Sequence, residues 1–466
     1  MNSPSDFHEQ KVQAIQQQVE RFHEQHVQFR IFHGNTNTTR NNKIDRSKLV
    51  DISSLTEILE INTTDAYVVA EANVPMDALV DAVLAKGFIP LVVPEFPSIT
   101  IGGAVQGGAG ESSSFKYGCV HSVCLEYEIL LANGSQITAS ALVNRDLYNS
   151  IAGSYGSIGI ITAVKMRLMP AEPYIKLSYR SVSDYQSAVA AITEATLRSN
   201  DFVDGIQFSA TKGVVMEGVF VNKALPNHST LHKATDDWFY LHAERNIAKL
   251  AVYEETIPTK DYLFRYDRGA FWVARYGFKM FHIPFTRSTR FLFVRLFKTR
   301  TLYSFLDGAK LSQGYIIQDI CLPQENAAAF MAYNDEQFQI FPLWLCPLKL
   351  DQNEYLSPTY LKSHQVINVG IWGKLEADYV KFVEKNRELE AKVASLGGRK
   401  VLYAHAYYTE AEFWKLYDLK TYQAVRKTYG AATGFPDVYT KTHVAERYHS
   451  SIGKGVLKML KAAVGK

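Results

Sequence analysis

Apolar residues recur three to five apart between residues 7 and 28, at Val12, Ile15, Val19, Phe22 and Val27, against a polar background. That spacing predicts an amphipathic helix, with Asp6 placed to cap its start. A short apolar run at 29–32 then enters a Gly/Asn/Thr turn that ends at Arg40. Residues 48–74 read as strand, turn, strand, strand, and 76–87 as an amphipathic helix stopped by Gly87. A buried strand is expected over 88–97. Residues 124–140 predict two strands around Asn133-Gly134, a dipeptide suited to a hairpin turn. Residues 146–170 predict a short helix, a Gly/Ser turn and an alternating strand, and Pro170 and Pro173 mark a boundary. Beyond it the pattern over 176–221 is strand, helix, strand, strand. Apolar strands are expected at 314–323, at 338–350 ending at Pro347, and at 364–373. A helix over 376–398 stops at Gly397, and 400–418 reads as a strand followed by a helix.

One stretch breaks this regularity. Residues 93–118 carry Gly102, Gly103, Gly107, Gly108, Gly110 and Gly118, mixed with Thr100, Ser112, Ser113 and Ser114. Glycines allow close backbone approach and positive φ, and successive N–H groups in such turns form anion-binding nests. The stretch therefore reads as a bed for a phosphate-bearing cofactor, with a glycine-rich surface loop as the alternative. Ile99, Ile101, Ala104 and Val105 between the glycines look packed, unlike a linker. The turn after residue 32 is a second, weaker candidate phosphate loop.

Composition narrows the class. The 466 residues exceed one ordinary core, so two domains are expected. A hydrophobic content of 47% with 21% charged residues is that of a globular chain. A net charge of +3 gives no support to nucleic-acid binding. Cys119, Cys124, Cys321 and Cys346 lack metal-ligand spacing, so no metal site is expected and reduced thiols are. With no signal peptide and no transmembrane run, an intracellular protein is expected, soluble or peripheral on a membrane.

The order of these features resembles a known family. Strand, loop, two strands, helix, the PxxTIGGA segment, the glycine run, the NG hairpin and GSxGIIT are similar to the FAD domain of the vanillyl-alcohol oxidase and p-cresol methylhydroxylase type. The resemblance implies an α+β, two-domain FAD-binding fold: an FAD domain over 1–175, an α+β cap (substrate) domain over 176–414, and a C-terminal helical segment over 415–466 packing back on the first. It also implies that the first loop and the glycine segment grip the FAD pyrophosphate. The residues so implicated are His33, Gly34, Asn35, Thr36 and Asn37, then Thr100, Ile101, Gly102, Gly103, Gly107 and Gly108. Glu111, Ser112, Ser113, Lys116, Tyr117, Gly118 and Val120 follow, and Gly156, Gly159, Ile160 and Ile161 close the set. Thr36 and Phe96 stand where relatives carry a flavin-linking His or Cys. Non-covalent FAD is therefore expected, with a link through His33 as the alternative.

Farther along, GGAxxGxGxESSSxKYG, QDxxxP, FPxWLCP, LYAxxYxxxxEFWxxYD and FPxVY occur in an order that resembles the Δ24-sterol reductase family. That resemblance runs from about residue 48 to 443. It implies reduction of an isolated C=C bond of a sterol or prenyl-tailed substrate, with NADPH as reductant and hydride passed through flavin N5. No counterpart of that family's amino-terminal membrane anchor is found, and His405 stands where the family usually has an acidic residue. An unactivated alkene needs a well-placed acid. The candidates are His405, Asp319, Tyr266, Asp267, Tyr407 and Tyr408; a cationic His405 would also stabilise reduced flavin. For His405 and Asp319 a purely structural role stays open. Trp344 and Cys346 are expected to line the pocket. No GxGxxG follows a strand, so NADPH has no Rossmann domain of its own here. The stretch 268–300 interleaves eight Lys/Arg with aromatics and no acid. It fits a segment that contacts lipid or an apolar substrate, a single-stranded nucleic-acid surface, or an ordinary basic face over core aromatics. Two other readings stay open: an FAD oxidase or dehydrogenase that passes hydride to oxygen, and a flavin-free lipid-binding protein.

Overall fold

The computed structural model describes residues 4–34, 38–40, 45–248 and 250–464. Two antiparallel sheets organise it. The first contains β3 (Ile58–Asn62), β4 (Tyr67–Glu71), β6 (Cys124–Leu130), β7 (Gln136–Ser140) and β8 (Ile160–Pro170), in the order β3-β4-β8-β6-β7, with β5 (Phe88–Pro90) pairing the end of β8. A separate parallel pair, β1 (Arg30–Phe32) and β2 (Leu49–Asp51), lies beside it. The second sheet has eight strands. They are β9 (Tyr174–Val182), β10 (Phe202–Ser209), β11 (Lys212–Val221), β12 (Val252–Pro258), β13 (Tyr315–Pro323), β14 (Leu343–Leu348), β15 (Val366–Lys374) and β16 (Arg399–Lys400). Their order is β12-β9-β11-β10-β14-β15-β13-β16. The chain crosses from one sheet to the other between Pro170 and Tyr174, at the two prolines.

Local chemistry explains most elements. Helix Pro4–Glu24 buries Val12, Ile15 and Val19 against Phe29, Val50 and Leu130. Its His8 bridges two carboxylates, Glu71 at 2.9 Å and Glu128 at 3.0 Å. Helix Met76–Leu84 buries Met76, Leu79, Val80 and Val83, and Gly87 beyond it takes φ +78°. At the β6–β7 hairpin Gly134 adopts φ +85° and the Asn133 side chain accepts from Ser135 N.

Three expectations on local structure change. The strand over 88–97 shortens to β5. The strand expected at 338–350 shortens to β14, which runs through Pro347 to Leu348. The strand expected after residue 400 ends at Lys400. Its backbone instead meets loops: Tyr403 O accepts from Thr39 N and Thr38 Oγ1, and Ala406 O accepts from Val444 N.

Alternation in the second sheet decides what faces inward. On β13, Ile316, Ile320 and Leu322 pack under helices Gln324–Gln337 and Tyr379–Ser395, in one cluster with helix Tyr185–Thr196, which lies over β10 and β11. Ile317, Asp319 and Cys321 point to the opposite face, as do Trp344 on β14 and Trp372 on β15. That face looks toward the first sheet's glycine segment, and the space between them is the candidate site.

Candidate functional site

A cavity of ≈ 400 Å³ lies between the two sheets, within the range of small-molecule sites. One wall is the glycine segment, which forms a short helix, Ile101–Gly107, capped by Thr100 and ended by Gly108 at φ +67°. The opening amides of this helix are already engaged. Ile101 N donates to Val74 O, Gly102 N to Ala72 O, Gly103 N to Thr100 Oγ1 and Ala104 N to Thr100 O. The anion-binding nest expected at this point is therefore not what its glycines provide. Gly102 instead allows close packing, since a Cβ there would come within 2.9 Å of Ala72 Cβ. Gly103 and Gly107 line the cavity, and a Cβ on Gly107 would meet nothing within 4 Å.

Positive charge comes from side chains. Arg30, Arg40 and Lys441 all line the cavity. Lys441 Nζ donates to Gly156 O at 2.9 Å. Burial, then Arg30, Arg40 and Arg426, pull its pKa down to about 7. Burial, with Arg30 adding, brings Arg40 down to about 10. Neighbouring His33 is also depressed, by burial and then by Lys441. Such a cluster is costly in the absence of an anion and suits a diphosphate. Among the described residues, His33 Nδ1, Arg40 Nε, Asn73 Oδ1, Ser98 Oγ and Glu95 Oε1 are buried without a hydrogen-bond partner, and their residues line this cavity. The open glycine wall, the cations and these polar atoms fit a dinucleotide cofactor such as FAD.

The other region of the cavity is aromatic. Phe96, Phe271, Tyr303, Trp344 and Trp372 line it, with Leu302, Leu306 and Val401. Phe271 lies against Trp372 with centroids 4.3 Å apart, and Phe96 meets Phe271 edge-on at 5.6 Å. Asp319 is the carboxyl that β13 presents here, and Glu95 beside Phe96 is another that lines the cavity. Asp319 Oδ2 accepts from the Tyr403 hydroxyl at 2.8 Å and Asp319 Oδ1 from Asn368 Nδ2 at 2.7 Å. Trp372 Nε1 donates to the same tyrosine oxygen at 3.2 Å. Burial, only partly offset by these two bonds, raises Asp319 to about 6. Gly370 stands opposite Asp319 in the register, and a Cβ there would fall 3.1 Å from its Oδ1 and 2.5 Å from the Trp372 ring.

Of the residues singled out from sequence, His33, Thr100, Gly102, Gly103, Gly107, Gly108, Ile160, Ile161, Asp319 and Trp344 line this cavity. Asn35, Thr36 and Asn37 lie outside the described residues. Phe96, Ile99, Ala104 and Gly110 of the glycine stretch line the cavity too, whereas the residues that follow are placed elsewhere. Gly34 takes φ +85° at the turn. Ile101 and Val120 are core. The buried carboxylate of Glu111 accepts from Ser112 and Ser113, and Lys116 pairs with Asp201 at the surface. Tyr117 packs against the first core, and Gly118 adopts φ +83° beside Ser122. Gly156 offers its carbonyl to Lys441, and Gly159 packs on Ile129. This stretch turns inward because it ties the sheets together: Val203 N donates to Ser112 O and Lys349 N to Ser114 O.

The acid candidates separate in the same way. Tyr266 donates to Asp204 at 2.7 Å and stacks on Phe271, without lining the cavity. Asp267 accepts from Thr299 N. Tyr408 is packed in the first core. His405 sits among Phe382, Tyr407 and Tyr448, off the cavity. Burial, then Lys400 and Arg40, lower its pKa to about 3, so the expected cationic His405 is replaced by a neutral core histidine. Tyr407 shares that packing. Cys321 lines the cavity where Cys346 was expected. In 268–300, Phe271, Trp272, Phe278 and Phe297 are core, Arg268 is buried on the carbonyls of Lys233, Asp236 and Asp237, and Arg290 pairs with Asp237. The rest of the stretch is more open: Arg275, Lys279, Arg287, Arg295, Lys298 and Arg300 are exposed, as are Phe291 and Leu292. Sequence reading missed Arg30, Arg40, Lys441, Asn368 and Tyr403, which no contiguous motif marks as a set. Among the described residues there is no cluster of His, Cys, Asp and Glu suited to a metal ion, and no helix long and apolar enough to cross a membrane.

Comparison with known proteins agrees with this geometry. A family model described as an FAD binding domain matches residues 8–140. The chain is 29% identical to the Delta(24)-sterol reductase of Homo sapiens over 462 residues, covering 96% of this chain and 89% of that one. It is 27% identical to the Delta(24)-sterol reductase homolog of Caenorhabditis elegans, with 95% and 88% covered. To the Delta(24)-sterol reductase of Pisum sativum it is 26% identical, with 84% and 76% covered. The protein is an FAD-dependent oxidoreductase with an α+β fold. More particularly, it is similar over most of its length to the Delta(24)-sterol reductases of animals and plants.

Proposed function

We propose that this protein reduces an isolated C=C bond of a sterol or another prenyl-tailed apolar molecule, with NADPH as reductant and FAD held non-covalently. The observation that carries the reading is a single cavity with two chemistries: three buried or half-buried cations beside an open glycine wall, and an aromatic chamber holding the Asp319–Tyr403 pair. The relatives' names support the choice of substrate class and direction.

Bound there, FAD supplies the two-electron hydride chemistry that side chains lack. In this reading Arg30, Arg40 and Lys441 hold its diphosphate. Gly103 and Gly107 leave room for it, and His33, Thr100, Ile160 and Ile161 complete the contacts. Phe96 and the aromatic chamber exclude water and hold the hydrocarbon. Reduction adds hydride to one alkene carbon and a proton to the other. The Tyr403 hydroxyl delivers that proton, and protonated Asp319 resupplies it across their hydrogen bond. Asn368 and Trp372 fix the pair. NADPH visits the same cavity as a substrate. The fold reading that goes with this is a p-cresol methylhydroxylase-type arrangement, an FAD domain to residue 175 and a cap domain to 414. In the segment after 414, Arg426 donates to Ser157 O in the first unit, while helix Ile452–Ala463 packs on helix Thr299–Ala309 of the second.

The test is anaerobic. Purified protein mixed with NADPH should lose its visible flavin absorbance, and an alkene-bearing sterol or prenyl compound should restore it. Bleaching by a saturated alcohol but not by NADPH, with rapid reoxidation in air, would replace this reading with an oxidase.

A further inference from the structure

Helix Ile452–Ala463 presents three separate faces. Gly455 and Met459 are buried and Val456 half-buried against helix Thr299–Ala309. The crossing is close: a Cβ on Gly455 would come within 2.5 Å of Ala309 Cβ, and one on Gly308 within 3.0 Å of Gly455 Cα. On another side Leu457, Leu460 and Val464 are 57%, 49% and 71% exposed. At 100° per residue these three share an arc of about 60°. Lys454, Lys458 and Lys461 run along one edge of it, and among the described residues only Lys458 of the three has a carboxylate partner, Asp307. From Arg447 to Lys466 the sequence contains no acidic residue.

We propose that this face docks the protein on an anionic lipid surface. Exposed leucines beside a row of lysines match a bilayer interface, where side chains enter the acyl boundary while ammonium groups meet headgroup phosphates. A second copy of this chain fits less well, because a symmetric contact would bring two rows of lysines together. The position of the face gives docking a use. Helix Thr299–Ala309 is a partition: Leu302, Tyr303 and Leu306 line the aromatic chamber, while Phe305 and Ala309 lie under the docking helix. A membrane at that helix would stand about one helix diameter from the chamber wall, so an apolar substrate could move from lipid to cavity over a short path. Only this delivery role rests on the proposed function; the docking itself does not.

The experiment uses the full-length, FAD-loaded protein and co-sedimentation with vesicles of phosphatidylcholine, with or without phosphatidylserine. Wild type should sediment with the phosphatidylserine vesicles and be released by salt. Lys454→Gln/Lys461→Gln should weaken this by about fivefold per lysine. Leu457→Gln/Leu460→Gln should abolish it, while circular dichroism and NADPH-driven bleaching stay as in wild type. Absence of wild-type sedimentation, or unchanged sedimentation of both variants, would overturn the proposal. So would a wild-type dimer that these leucine changes convert to monomer without any vesicle binding. Loss of NADPH-driven bleaching in a wild type that still binds vesicles would count against the proposed function and leave the docking face standing.

Discussion

The Tyr403 hydroxyl donates to Asp319 Oδ2 across 2.8 Å, joining an irregular segment after β16 to the middle of β13. Both side chains face the cavity, and Trp372 and Asn368 hold them from either side. Tyr403→Phe and Asp319→Asn should slow alkene-dependent reoxidation of the reduced protein by about 10²-fold or more. Reduction by NADPH should be nearly unchanged in both. Stopped-flow absorbance separates the two half-reactions, and equal slowing of both would assign the pair a structural role.

The pH dependence has a definite sign. Asp319 is raised to about 6, so its protonated form dominates below that value and disappears above it. The alkene half-reaction should therefore fall as pH rises through about 6. In Asp319→Asn that step should vanish. Rate profiles of the single half-reaction from pH 5 to 8, compared between wild type and variant, check this.

Lys441 is buried among Arg30, Arg40 and Arg426, and its own pKa drops to about 7. A bound diphosphate should reverse that cost. Lys441→Met is expected to weaken FAD retention by about 10- to 100-fold, the size of a charge-assisted hydrogen bond. FAD-dependent gain in melting temperature should shrink in step. A variant that keeps wild-type FAD affinity would remove this lysine from the cofactor site.

Two glycines of one short helix should behave oppositely. Gly102→Ala forces a Cβ to 2.9 Å from Ala72 Cβ and should cost about 1–3 kcal/mol of stability. Gly107→Val meets only open cavity, so it should lower flavin content with little effect on apoprotein melting. Denaturant titration and the flavin-to-protein absorbance ratio read the two effects separately.

His8 locks the first helix to the sheet. Burial pulls its imidazole down, but Glu128 and Glu71 outweigh that and raise it to about 9. Because the folded value lies above the unfolded one, this contribution is complete below about 6.5 and is lost as pH rises through about 9. Melting temperature of wild type should fall across that window relative to His8→Gln, in which the step is missing. Parallel curves for the two proteins would show that the bridge adds nothing.

Helix stripes, hairpins and the crossing between sheets were legible in the sequence, because these depend on local spacing and turn chemistry. Val12, Ile15 and Val19 gave a helix face, Asn133-Gly134 a turn, and the prolines at 170 and 173 the crossing point. The glycine segment was legible as a cofactor wall, but not in how it works, since its opening amides are spent on Ala72, Val74 and Thr100. Motif position favoured His405, and burial beside Lys400 makes it neutral and removes it from the cavity. Asp319 was visible as a polar residue in an apolar strand. Its partner Tyr403, 84 residues away, was not. Arg30, Arg40 and Lys441 come from distant parts of the chain, and only the tertiary fold makes them neighbours. Sequence alone determined which segments could be helix or strand and which stretch could border a cofactor, because backbone preference and periodicity act over a few residues. Tertiary structure decided which charges share one low-dielectric cavity and which acid faces it, because burial and electrostatic coupling act through space.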